Sequence, residues 1–161
     1  MSEPIRVLQI VAGMDCGGIE NFLMNVYRQI DRSRVQFDFL YHTAQPCFFD
    51  AEIGALGGKI YRFPMSEGVN LPAYCRFLDG FFAAHREFAC IHGHYSLFGA
   101  FYNHYAKKHG VAVRAGHSHT TAPVGAGLNR AADAVLTPLF CRGLTDRFAC
   151  SAAAGEYLFG K

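Results

Sequence analysis

The chain has 161 residues, 51% of them hydrophobic and 17% charged, with a formal net charge of +2. Enough apolar material for a real core excludes a disordered tail, and the length suits one domain. The small charge, with no basic run longer than Lys107-Lys108, excludes nucleic-acid binding as the main role. An apolar share slightly above the usual, and a charged share below it, point to apolar surface meant to be covered.

Residues 5–12 are an apolar run broken by one glutamine, the pattern of a strand buried on both faces. The stretch VAGMDCGGIEN at 11–21 then brings Gly13, Gly17 and Gly18. Beyond it Ile19, Phe22, Leu23, Val26, Tyr27 and Ile30 recur at helical spacing. VQFDFLY at 35–41 alternates as a second strand. FFDAEIGALGG predicts a short helix stopped by Gly57 or Gly58, and residues 59–63 a third strand ended by Pro64. In 71–85, Tyr74, Phe77, Leu78, Phe81 and Phe82 fall on one helical stripe and belong to the core. FACIHGH (88–94) is a fourth strand, 97–109 a helix closed by Gly110, and 111–115 a fifth strand. The segment from 129 to about 145 predicts a helix interrupted at Pro138, which lacks an amide donor. RFACS (147–151) is a sixth strand, and AAAGEYLFG begins another helix. His85, His104 and His109, on or near helices, are expected to face solvent.

Strands alternating with crossover helices predict an α/β, Rossmann-like doubly wound parallel sheet, whose ligands gather at the carboxyl ends of the strands. Three loops there carry the unusual chemistry: 13–18, 92–96 and 117–127. The glycine spacing is neither G-x-G-x-x-G nor a phosphate loop ending in G-K-[ST], and Tyr41-His42-Thr43 offers no acid for a ribose, so NAD is not expected. Gly17 and Gly18 before a helix either seat an anion on free backbone amides or simply make a tight turn. Asp15 reads as a turn residue, and Glu20 as a complement to the helix dipole. His92-Gly93-His94 and His117-Ser118-His119 each place two imidazoles where an extended chain would let them share a metal. Neither loop contributes a carboxylate to complete a hydrolytic site, so no metal is expected. His94, with Tyr95 and Ser96, suits acceptor hydroxyls or loop stabilisation, and Thr120 and Thr121 suit sugar contacts or capping.

The six cysteines form no C-x-x-C pair and read as ordinary small buried or partly buried free thiols, which implies a reducing, cytoplasmic setting. The start MSEPIRVLQI lacks the apolar region of a signal peptide, and no run approaches the ~20 apolar residues of a membrane span.

VLQIVAGMDCGGIENFLMNVYRQID resembles the opening of retaining glycosyltransferases of the two-domain GT-B fold, in the group that makes polysaccharides and lipid-linked sugars. The resemblance continues through VQFDFLYH, EIGALGGKIYRFP, IHGHYSLFGAFYNHYAKKHGVAVRAGHSHTT and FACSAAAGEYLFG, nearly the whole chain in order. It implies that residues 1–161 are the amino-terminal, acceptor-side domain, that the carboxyl-terminal donor-binding domain is absent from this chain, and that the chain alone is inactive. It implies a nucleotide-sugar donor, a glycan or lipid-linked acceptor, no cofactor and no metal. Gly17 and Gly18 match the loop that steadies the departing diphosphate, and His117 matches the cleft histidine near donor and acceptor. His94, His119 and Thr120 become acceptor or sugar contacts. Retention then follows from same-face attack, in keeping with the lack of a glycosidase-like pair of acids in the loops.

Two other classes fit parts of the pattern: a metal-dependent hydrolase built on the two H-x-H loops, and a non-catalytic module that binds a glycan or phosphate. Peripheral contact with the inner face of a membrane fits lipid-linked acceptors, although no basic amphipathic helix supports it. Uncovered apolar surface predicts self-association of the chain.

Overall fold

Residues 5–11 carry apolar side chains on alternate faces, so a strand there pays for its desolvation on both sides of a sheet. The computed structural model describes residues 3–65, 70–94, 98–122 and 128–160, without the side chains of 128–133. Tyr95, Ser96 and the 123–127 part of the third predicted loop lie outside the described residues. Strands and helices alternate as β1 (Ile5–Val11), α1 (Gly18–Gln29), β2 (Val35–Tyr41), α2 (Asp50–Ala55), β3 (Ile60–Arg62) and α3 (Leu71–Ala84). They continue as β4 (Phe88–Gly93), α4 (Gly99–Lys108), β5 (Val113–Ser118), α5 (Leu128–Gly143), β6 (Asp146–Ala149) and α6 (Ala152–Phe159).

All strand pairs are parallel, in the order β3-β2-β1-β4-β5-β6, the doubly wound arrangement expected. The order reverses between β1 and β4, the switch point beyond whose strand ends sheets of this kind bind their ligands. One face of the sheet sends Val11, Phe37, Phe39 and Tyr41 against Leu23, Met24 and Tyr27 of α1 and Ile53 of α2. The other sends Leu8, Ile10, Leu40 and Ile91 against the Tyr74, Leu78, Phe81 and Phe82 stripe of α3, and against α4, α5 and α6. Each large side chain fully buried this way contributes about 1.5–3 kcal/mol.

Gly57 and Gly110 both take positive φ (+87°) and end α2 and α4, as glycine at those stops predicts. Several boundaries differ from expectation. The fifth strand is shifted from 111–115 to Val113–Ser118, because the Val111 amide still closes the end of α4 on Ala106 O. The strand gains pairing partners on both edges as far as Gly116 with β4 and Ser118 with β6. His117 therefore stands inside a strand, and so does His92; only His94 and His119 lie just past strand ends. α5 runs through Pro138 without a break. Its packing against α4 and α6 offsets the missing amide, a loss of about 3 kcal/mol in an isolated helix. β6 begins one residue earlier and ends at Ala149.

Some side chains also sit differently. His104 is exposed, but His85 and His109 are not free in solvent: His85 bonds Glu87 and packs on Phe81, and His109 bonds Asp79 at 2.6 Å. All six thiols are free, yet Cys16 and Cys150 are exposed rather than buried.

Candidate functional site

The site begins with register. Gln9 of β1 lies opposite His92 of β4, and His92 lies opposite Ala115 of β5. Parallel pairing keeps partners on the same face, and every second residue returns to it. His94 and His117 therefore join His92 on the face that carries α1. Phe148 of β6, paired with His117, continues the row.

The glycines next to the histidines face the other way, where helices press close to the sheet. Gly93 and Gly116 are themselves cross-strand partners. A side chain at Gly93 would collide with the Tyr102 ring of α4, and one at Gly116 would come within 2.7 Å of Phe140 and Leu144. The H-G-H spelling is thus half site and half packing.

Four imidazoles converge: the His117 and His119 rings stack at 4.1 Å between centroids, His92 and His94 lie 4.2 Å apart, and His92 stacks on His117 at 5.4 Å. His94 is anchored at the switch point. Its backbone amide donates to Ile10 O at 2.9 Å, and its Nε2 meets Gln9 Oε1 at 2.9 Å. Because the Gln9 oxygen only accepts, His94 carries its proton on Nε2 and accepts at Nδ1, where His119 Nε2 donates at 2.8 Å. By contrast His92 Nε2 and His117 Nδ1 are buried without a hydrogen-bond partner among the described residues.

All four rings are held neutral. Burial, then the neighbouring imidazoles, push His92 down to about 4, and the same causes hold His94 well below its ordinary value. Burial followed by His117 brings His119 to about 4, and burial alone lowers His117. At neutral pH these are proton acceptors and lone-pair donors rather than cations.

The glycine turn lies at the same end of the sheet. Gly17 caps α1 with no side-chain hydrogen bond, Gly18 is its first residue, and both are exposed. Nothing stands within 4 Å of where a Gly18 side chain would be. The Glu20 carboxylate curls back over Gly17, occupying the positive end of the helix. One turn on, Phe22 was expected on the helix's apolar stripe; instead it is 44% exposed, its ring edge-on to His117 at 5.5 Å. Phe22 thereby ties the glycine-bearing helix start to the histidines. Asp15 accepts from the Phe48 amide at 3.1 Å and braces the turn. Gly13 is a close-packing glycine, its Cβ position 3.1 Å from Cys47 Sγ. The Thr120 hydroxyl donates to Ala122 O and accepts from Ala122 N, so it shapes its own loop.

The structure thus unites His94, His117 and His119 and adds three residues that the pattern did not single out: Gln9, Phe22 and Phe148. Gln9 had a signal, being a polar residue in the apolar middle of a strand whose other polar residue, Arg6, lies at its start.

This fold, with its chemistry at the switch point, is matched by a family model described as "Glycosyl transferase 4-like domain" over residues 17–161, and the chain belongs to that family. It is 36% identical over 159 residues to a Bacillus subtilis (strain 168) protein named "Putative glycosyltransferase EpsF". That alignment covers 97% of this chain and 41% of the relative, so the chain spans less than half the relative's length. No helix among the described residues is long and apolar enough to cross a membrane.

Proposed function

We propose that this chain is the acceptor-side, amino-terminal domain of a retaining glycosyltransferase that moves a sugar from a nucleotide-diphosphate sugar to an acceptor hydroxyl. Polysaccharide or glycolipid synthesis is the setting, on the cytoplasmic side and peripheral to the membrane. The carrying observation is the convergence of neutral imidazoles near a glycine helix start whose N-cap makes no side-chain hydrogen bond, in a chain of the glycosyl transferase 4-like family.

His117 touches the reacting groups in this reading. As a neutral ring it hydrogen-bonds the attacking hydroxyl or a donor-sugar hydroxyl and aligns it. His94 and His119, locked together by their shared hydrogen bond, present a fixed polar wall to the acceptor. Thr120 contributes through the shape of its loop. The amides at Gly17 and Gly18 take up charge on the departing diphosphate, and Glu20 swings off the helix end to admit it. Phe22 supplies an apolar face against which a sugar ring packs. Neither a cofactor nor a metal takes part in the transfer, and the donor half is bound by a second domain.

The test is a nucleotide-sugar screen with the complete protein, carried out with and without chelator. Transfer with retained configuration, undiminished by chelator and lost in His117→Ala, is the expected result. Inversion of configuration, or transfer abolished by chelator, overturns the reading. Residues 1–161 alone are expected to transfer nothing.

A further inference from the structure

We propose that His92, His94 and His117 form a binding site for one zinc-like transition-metal cation, ligated through imidazole nitrogens. Read along the chain, each H-x-H pair offers at most two ligands and no carboxylate. The sheet changes that count by laying β4 beside β5, so that one ligand atom from each of these three residues falls within 4.8 Å of the others.

Three independent features of the cluster favour a cation. First, His92 Nε2 and His117 Nδ1 are buried with no hydrogen-bond partner among the described residues, a desolvation penalty that a cation taking their lone pairs would relieve. Second, the outer nitrogen of His94 is bonded to Gln9 Oε1, the arrangement that fixes a ligating ring and leaves the inner Nδ1 facing the cluster. Third, a ligand set made of imidazoles alone selects zinc, copper or nickel over magnesium or calcium. Ligand nitrogens about 2.0–2.1 Å from a tetrahedral zinc stand roughly 3.3 Å apart. Closing from 4.8 Å asks only for small rotations of the rings about their own side-chain bonds. His119 already donates into His94 Nδ1, so it either yields that nitrogen to the ion or turns its own ring into the fourth position.

Occupation would withdraw the His117 lone pair from a hydroxyl, making the cation an inhibitor of transfer. That consequence rests on the glycosyl-transfer reading, whereas metal binding does not, so the two fail separately.

Zinc alone, titrated calorimetrically into the metal-free protein, is expected to bind one equivalent with a dissociation constant below ~100 µM. Cobalt in its place should give the visible absorption of a tetrahedral site, and the ring-proton NMR signals of His92, His94 and His117 should move together. His92→Ala should abolish the cobalt band, with circular dichroism verifying the fold. Gln9→Leu should weaken zinc by about 10–100-fold. His104→Ala, on an exposed helix surface, should change nothing. Absence of stoichiometric binding by the unaltered protein overturns the proposal whatever the variants do. So does a cobalt band that survives His92→Ala, or signals that move only at His85, His104 or His109.

Discussion

His42 and His92 stand on neighbouring parts of the same sheet, at the ends of β2 and β4, and they live in different worlds. Both are pushed down to about 4 by burial. His42 Nδ1 donates to Val11 O at 3.2 Å, and its Nε2 accepts from the Tyr74 hydroxyl at 2.9 Å. His92 Nε2 has no hydrogen-bond partner among the described residues. The contrast extends to the two halves of the sheet. The half around β1 and β2 buries a matched charge pair, Asp38 standing against the Arg6 guanidinium at 2.6 Å and the Lys59 amide at 2.7 Å, although the Tyr41 and Tyr61 hydroxyls and Asp50 Oδ1 have no hydrogen-bond partner among the described residues. Around β4 and β5 the unmatched atoms include two imidazole nitrogens, on His92 and His117, whose rings stack on one another, and every residue of β6 is exposed. Folded chains match almost all buried polar groups. What sets His92 and His117 apart is that their two unmatched nitrogens belong to stacked neighbouring rings.

The contrast breaks most visibly through activity. His117→Ala in the complete enzyme should lower transfer about 10²–10⁴-fold while leaving the melting temperature nearly unchanged, since the ring is half-buried and its Nδ1 unbonded. Equal losses of activity and stability would make His117 a core residue. On the matched side, Arg6→Ala strands the Asp38 carboxylate and should destabilise by about 3 kcal/mol in urea unfolding, with the zinc affinity unaltered.

Acid sharpens the comparison further. The folded His42 binds its proton only near pH 4, whereas the unfolded chain does so near 6.5. Between those values the unfolded state holds more protons, so stability falls as pH drops through the window and is flat above it. His42 alone accounts for about 3 kcal/mol across it. Chemical denaturation at pH 7 and pH 4.5 measures this, and His42→Phe should remove the share due to His42 while leaving that of His92, His94 and His119.

Smaller effects follow from packing and surface. Gly116→Ala drives a methyl into Phe140 and Leu144 and should cost about 1–3 kcal/mol, moving β5 and with it His117. Phe148 on β6, Val135 and Leu139 on α5, and Phe22 are apolar and 44–65% exposed. Sedimentation should accordingly show weak, concentration-dependent association, which Phe148→Ser reduces.

Much of this was legible beforehand. The 3.6-residue stripe of α3 and the apolar runs of β1 and β2 named the layers, because burial writes its own period into a sequence. The H-x-H pairs and Gly17-Gly18 were visible as oddities at strand ends. Less legible were limits set by distant partners: β5 reaches Ser118 because β6 pairs with it, and α5 survives Pro138 because other helices hold it. Phe22 was misplaced for a similar reason. Helical spacing tells which residues share a face, not that α1 turns the edge of that face towards two histidines.

Sequence alone therefore determined the alternation of strands and helices, the doubly wound class and the residue types available for chemistry, since these follow from local periodicity and composition. Tertiary structure decided that four imidazoles from two strands meet, that Gln9 orients one of them, and that two nitrogens are left unpaired. Those are consequences of cross-strand register, and register is a relation between segments more than twenty residues apart that no local pattern contains.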